Sequence, residues 1–139
     1  GDSPAGPTES RDDLCGTDGA DIINALGGDD VLCGAGGDDQ LNGGDGNDDV
    51  SGDAGNDRAG GGGGTDTVVG GEGDDEVLGG PGRDDLDGDV GKDTISGGFG
   101  QDEINAVDGE KDKITCGPHV DTVVADKRDK VDKDCEKVV

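Results

Sequence analysis

The sequence predicts an all-β fold, a parallel β-roll (a β-solenoid) built from stacked coils of 18 residues, two nine-residue repeats to a coil. Two observations carry this expectation. A nonapeptide pattern runs without insertion from Gly16 to Asn105, over 90 of the 139 residues. The composition also leaves no material for a layered core: 32 residues are Gly, Phe99 is the one aromatic, and Trp, Tyr and Met are absent. Low hydrophobicity with high net charge is the usual signature of a disordered chain. Composition alone therefore describes an acidic, unfolded polymer, and only the period argues for structure.

The pattern has ten copies in one phase. Its fourth place is Gly in every copy: Gly19, Gly28, Gly37, Gly46, Gly55, Gly64, Gly73, Gly82, Gly91 and Gly100. Its sixth place is Asp in every copy: Asp21, Asp30, Asp39, Asp48, Asp57, Asp66, Asp75, Asp84, Asp93 and Asp102. Its eighth place is aliphatic in every copy, from Ile23 and Leu32 through Ala59 to Ile104. The first place is Gly in nine copies, with Ala25 the exception, and the second place is looser, with Gly in five.

Each part of the nonapeptide has a physical task. The first six residues must turn sharply, and Gly supplies the positive φ angles and close backbone approach of a turn. Such a turn leaves backbone carbonyls aimed at one spot, and the Asp of place six adds a carboxylate. The last three residues form a short strand whose middle side chain faces in while places seven and nine face out. Each nonapeptide then lies above the one two earlier, at the ~4.8 Å spacing of a parallel sheet. The ten nonapeptides make a stiff rod about 25–30 Å long.

The charge narrows the partners. Asp and Glu number 36 against 11 Lys and Arg, a net charge of −25. Nucleic acid and anionic membrane surfaces would be repelled. Oxygen ligands in this abundance suit hard divalent cations. No stretch approaches the ~18 apolar residues of a membrane span, so no membrane insertion is expected. Gly1–Thr8 is a Pro/Gly/Ser segment with no signal-peptide character, and it reads as a linker or a mature N-terminus.

The ten copies resemble G-G-x-G-x-D-x-U-x, the RTX or haemolysin-type calcium-binding repeat. The resemblance implies Ca²⁺ between stacked turns, with one Asp able to serve the sites above and below it. Its ligands would be the ten Asp of place six, with Asp112 and Asp121 of the degenerate repeats, and backbone carbonyls near the place-four glycines. Five turns on each side leave four gaps each, so roughly eight ions are expected if every gap is filled. Burying ten aliphatic side chains offsets only a small part of the cost of ordering 90 residues, and self-repulsion opposes compaction. Metal binding would supply the missing folding energy.

The ends depart from the repeat. Asp12, Leu14 and Cys15 occupy places six, eight and nine of a half-repeat whose turn lacks glycine, which reads as a cap. Cys33 is also at place nine, one coil above Cys15, and that spacing suits a disulfide; free thiols or a metal-binding pair are the alternatives. After Asn105 an extra residue enters before Asp112 and Ile114, and Cys116–Val124 is one more nonapeptide, with Asp121 at place six and Val123 at place eight. The segments around Cys116, Asp121 and Asp134-Cys-Glu resemble a C-terminal cap of secreted bacterial members of the family. The resemblance implies a second disulfide, Cys116–Cys135, although four cysteines allow three pairings. A solenoid needs such polar caps at its open ends. The expected divisions are thus a flexible segment 1–9, a cap 10–15, the roll 16–105, and degenerate repeats with a cap over 106–139.

Paired cysteines point to an oxidising compartment, so the protein is expected to be secreted or held at a cell surface, and monomeric. An enzyme is not expected. His119 is the single histidine, at place four of a degenerate repeat, where it reads as a solvated turn residue. No G-x-S-x-G elbow is present, and a thin roll offers no pocket for an acid–base pair. Two alternatives to a structural calcium module stand. One is surface recognition, by adhesion or ice binding, although the row at place five (Ala20, Asp29, Asp38, Asn47, Asn56, Thr65, Asp74, Arg83, Lys92, Gln101) is irregular. The other is the repeat domain of a larger secreted enzyme or toxin.

Overall fold

The computed structural model describes residues 7–139. The segment expected to be a flexible N-terminus, 1–9, lies outside the described residues over its first six. Strands are short because each nonapeptide spends most of its length turning. In chain order they are β1 (Asp13–Cys15), β2 (Ile22–Asn24), β3 (Val31–Cys33), β4 (Gln40–Asp45) and β5 (Asp49–Ala54). Next come β6 (Arg58–Gly63), β7 (Thr67–Glu72), β8 (Glu76–Leu78), β9 (Asp85–Val90) and β10 (Thr94–Ser96). The last five are β11 (Glu103–Ala106), β12 (Lys113–Thr115), β13 (Thr122–Ala125), β14 (Lys130–Val131) and β15 (Lys137–Val138).

Odd strands form one eight-stranded parallel sheet and even strands form a seven-stranded one. Every strand therefore pairs with the strand two later, as the 18-residue coil requires: Leu14 beside Leu32, Leu32 beside Val50, and Ile23 beside Leu41. Two columns of place-eight side chains meet between the sheets. Leu32, Val50, Val68, Leu86 and Ile104 come from one, and Leu41, Ala59, Val77 and Ile95 from the other; all are buried. Ile23, in the first coil, is only partly covered. Places seven and nine face out, as expected. Val69 in β7 and Leu78 in β8 belong to different sheets, so these two outward apolar residues do not form a patch.

The solenoid is longer than the ten regular nonapeptides. The degenerate C-terminal repeats add strands to both sheets: β12 and β14 to one, β13 and β15 to the other. Strand spacing then gives a rod of about 30–35 Å rather than 25–30 Å. The extra residue after Asn105 is absorbed in the loop before β12, so Thr94 pairs with Lys113 and Glu103 with Thr122. At the other end the coil already begins at Thr8, whose carbonyl accepts the Gly27 N–H. The disulfides are Cys15–Cys33 and Cys116–Cys135, with Cα atoms 4.6 and 5.1 Å apart. The first joins paired positions of β1 and β3. Among the described residues the one ion pair is Arg58–Glu76, across β6 and β8 at 3.4 Å.

Candidate metal centres in the turns

The in–out alternation of the strand does not stop at the aliphatic residue. Along β5 and its flanks, Asp48, Val50 and Gly52 are buried while Asp49 is exposed. Place six, place eight and the following place one share the inner face. The Asp of each turn therefore points inward, with at most 3 % of its surface exposed in the eleven cases from Asp30 to Asp121. Place-one glycine makes room for it. A Cβ on Gly70 would sit 2.7 Å from the Asp75 Oδ2 and 2.8 Å from the Gly88 carbonyl oxygen. The same crowding recurs at Gly16, Gly43 and Gly97.

The two oxygens of each carboxylate have different fates. Oδ1 accepts the backbone N–H of the Asp one coil earlier: Asp30 N–H to Asp48 Oδ1 at 2.8 Å, Asp48 to Asp66 at 2.8 Å, Asp66 to Asp84 at 2.9 Å. The other side of the roll repeats this, through Asp39, Asp57, Asp75 and Asp93. Oδ2 is buried and has no donor in Asp30, Asp39, Asp48, Asp57, Asp66, Asp75, Asp84, Asp93, Asp102, Asp112 and Asp121. Buried polar atoms are almost always partnered, because leaving one unpaired costs its full desolvation. Eleven orphans in equivalent positions are a property of the design. An ionised oxygen beside a backbone carbonyl, with no N–H in reach, fits a hard cation.

Electrostatics agree. Burial raises the carboxyl groups of Asp66, Asp75, Asp102 and Asp112 to about 6. It raises Asp84 and Asp93 to about 7, and it raises Asp39, Asp48, Asp57 and Asp121 as well. The hydrogen bond from the preceding coil pulls each back only in part, and neighbouring carboxylates push most of them further up. Without a counter-charge the stacked carboxylates resist ionisation.

Backbone conformation explains which glycines are strict. Place four is left-handed, with φ between 96° and 140° from Gly28 to Gly100. A Cβ there would run into the place-four carbonyl of the coil before, as at Gly46 against Gly28. Place two is left-handed too, but it admits Asp53 (φ 70°) and Asp89 (φ 65°), and even Leu26 and Ala35. From Leu26 to Gly98 the place-two φ is 65–106°, nearer the left-handed region that other residues can reach, whereas most place-four φ values lie beyond it, which is why the second place is the looser one. The carbonyls found beside the orphaned oxygens are those of place one, whereas place-four carbonyls stack against the next place-four glycine.

Place five has a structural role that its irregular residue types concealed. Asp29, Asn47, Asp38, Asn56 and Asp74 each accept, through Oδ1, the place-five N–H one coil on, at 2.9–3.0 Å. Asx residues at this place thus brace the outside of the turn. His119 differs from a simply solvated turn residue: it has φ 94°, and its Nδ1 accepts the Gly100 N–H at 3.1 Å. Asp21 differs as well, because its Oδ2 accepts from Thr17. The remaining cluster, Cys116, Asp134 and Cys135, holds no thiol. Its sulfurs are joined, and the Asp134 carboxylate accepts the N–H groups of Cys116 and Gly117.

Comparison with known proteins agrees with this geometry. The family model described as the RTX calcium-binding nonapeptide repeat matches in four copies, over residues 8–41, 34–59, 60–95 and 78–110. Searches of curated proteins and of solved structures find no match. The repeats make the chain a calcium-binding structural module. Ten in-phase nonapeptides, their stacking into two parallel sheets and the matched family model together place the protein in the RTX calcium-binding nonapeptide repeat family.

Proposed function

We propose that this protein is an extracellular module that folds when several Ca²⁺ ions enter the turns between its coils, and that it serves as a stiff, calcium-responsive rod. The observation that carries the reading is the column of buried Asp Oδ2 atoms without donors. Bound Ca²⁺ would supply charge neutralisation, with ligands from Asp30, Asp39, Asp48, Asp57, Asp66, Asp75, Asp84, Asp93, Asp102, Asp112 and Asp121 and from the backbone carbonyls of their turns. The ion number expected from the sequence, roughly eight, falls within the eleven turns marked by an orphaned oxygen.

The fold dictates why metal and folding are coupled. The core is two lines of mostly Val, Leu and Ile side chains, and stacking brings like charges over one another in every coil. Ions that bind only the stacked state shift the equilibrium toward it. The disulfides support an oxidising, extracellular setting, where free Ca²⁺ is high enough for modules with dissociation constants near 10⁻⁴–10⁻³ M.

Far-ultraviolet circular dichroism of the metal-free chain, titrated with Ca²⁺ and with Mg²⁺ as control, tests the reading. The expected result is a cooperative coil-to-β change with Ca²⁺ alone, reversed by chelator. A full β spectrum in excess chelator would remove the calcium switch from the account.

A further inference from the structure

We propose that Thr8 and Thr17 take the place of calcium on the first coil, so that the N-terminal turns hold their fold without metal. The inference rests on the reading that orphaned Asp oxygens take Ca²⁺. In the first coil those oxygens are not orphaned. The Thr17 N–H and Oγ1 both donate to Asp21 Oδ2, at 2.6 and 3.0 Å. The Thr8 N–H and Oγ1 both donate to Asp12 Oδ2, at 2.7 and 3.0 Å. Each hydroxyl oxygen in turn accepts the N–H two residues on, from Gly19 and Ser10. Two turns on opposite sides of the roll thus use the same Thr-x-x-x-Asp device.

Asp12 Oδ2 and Asp21 Oδ2 each accept two hydrogen bonds, so their lone pairs are engaged and the groups around them are donors. That is the wrong polarity for a cation. The backbone gives a second, independent observation. Neither Thr17 nor Gly19 is left-handed, whereas the equivalent Leu26, Gly28, Ala35 and Gly37 all are. In left-handed turns the place-two N–H reaches the next coil, as from Gly62 to the Gly79 carbonyl and from Gly80 to that of Gly97. In the first coil it turns back onto its own Asp. The coil is also tied to the second one without metal, by Cys15–Cys33 and by the N–H groups of Gly16 and Val31, which donate to the carbonyls of Cys33 and Asp12. Threonine at place two therefore decides where calcium loading begins: above the first coil.

Native mass spectrometry of the full-length chain at saturating Ca²⁺ counts the ions. T17G, which removes the hydroxyl and restores the residue that loaded turns favour, is expected to bind one more ion than the parent. T17S keeps both donors and is expected to bind the parent number. D57N is expected to bind at least one fewer. An unchanged count for T17G beside a reduced count for D57N would overturn the inference and leave the calcium reading intact. An unchanged count for D57N would overturn the reading itself. Hydrogen exchange of the unmodified, metal-free chain tests the same idea without a variant. The amides of Gly16 and Val31 are expected to exchange at least tenfold more slowly than those of Thr67 and Asp85. Equal exchange would sink the proposal.

Discussion

Asp66 Oδ1 accepts the N–H of Asp48, one coil below, at 2.8 Å, while Asp66 Oδ2 lies buried without a donor. One oxygen of the carboxylate thus holds two coils together and the other waits for charge. Asp66→Asn separates the two roles, because the amide oxygen can still accept the Asp48 N–H while the negative charge is gone. The expected outcome is a folded protein at high Ca²⁺ with at least one ion fewer and a raised calcium midpoint. Circular dichroism titration of the variant beside the parent reads the shift.

Acidity should do part of calcium's work. The folded-state carboxyls of Asp66 and Asp75 stand at about 6 and those of Asp84 and Asp93 at about 7, above the ~3.9 of an unfolded chain. A carboxyl raised by folding favours the fold when protonated. Its contribution is fully present below pH ~4 and is lost as pH rises through about 6 to 7. The metal-free chain is therefore expected to gain β signal on acidification from pH 8 to pH 5. Calcium, which binds the ionised form, should release protons near pH 6.5 and bind more weakly below it. Circular dichroism against pH, and pH-stat titration with Ca²⁺, check the two halves.

Glycines of the same repeat family should differ sharply in tolerance. Gly73→Ala places a Cβ on a residue with φ 129°, against the Gly55 carbonyl. The strain should cost about 1–2 kcal/mol. Gly60→Ala meets only the Leu41 carbonyl oxygen at 3.8 Å and the Leu78 Cβ at 3.9 Å, which is ordinary contact. It should be neutral or slightly stabilising, since it also reduces unfolded-state entropy. Thermal melts in saturating Ca²⁺ compare them.

The two disulfides close loops of similar length at opposite ends, with sequence separations of 18 and 19. By loop entropy each contributes about 3 kcal/mol. Cys15→Ser with Cys33→Ser should lower the melting temperature in Ca²⁺ and loosen the amides of β1 and β3. The ion count should stay the same, because neither cysteine lies in a turn with an orphaned oxygen. Hydrogen exchange and native mass spectrometry report the two effects.

The sequence by itself determined the period, its phase and the coil length, and with them both parallel sheets, the buried column from Leu32 to Ile104, and the placement of Cys15 beside Cys33. This was legible because a solenoid repeats one local solution, so position within the nonapeptide dictates position in space. The candidate Asp residues were legible too, through their invariance within the chain. Their inward direction was available in principle, since place six has the same parity as place eight. What tertiary structure alone decided is where each hydrogen bond goes. The division of labour between Oδ1 and Oδ2, the bracing at place five, the His119–Gly100 bond and the Thr17–Asp21 pair depend on side-chain torsions, on φ at places two and four, and on which coil lies next. Most of these bonds join residues a full coil apart, and their donors and acceptors become neighbours only after stacking. The shorter Thr17–Asp21 bond depends instead on a turn that escapes the left-handed form of its successors, in the first coil of the described residues.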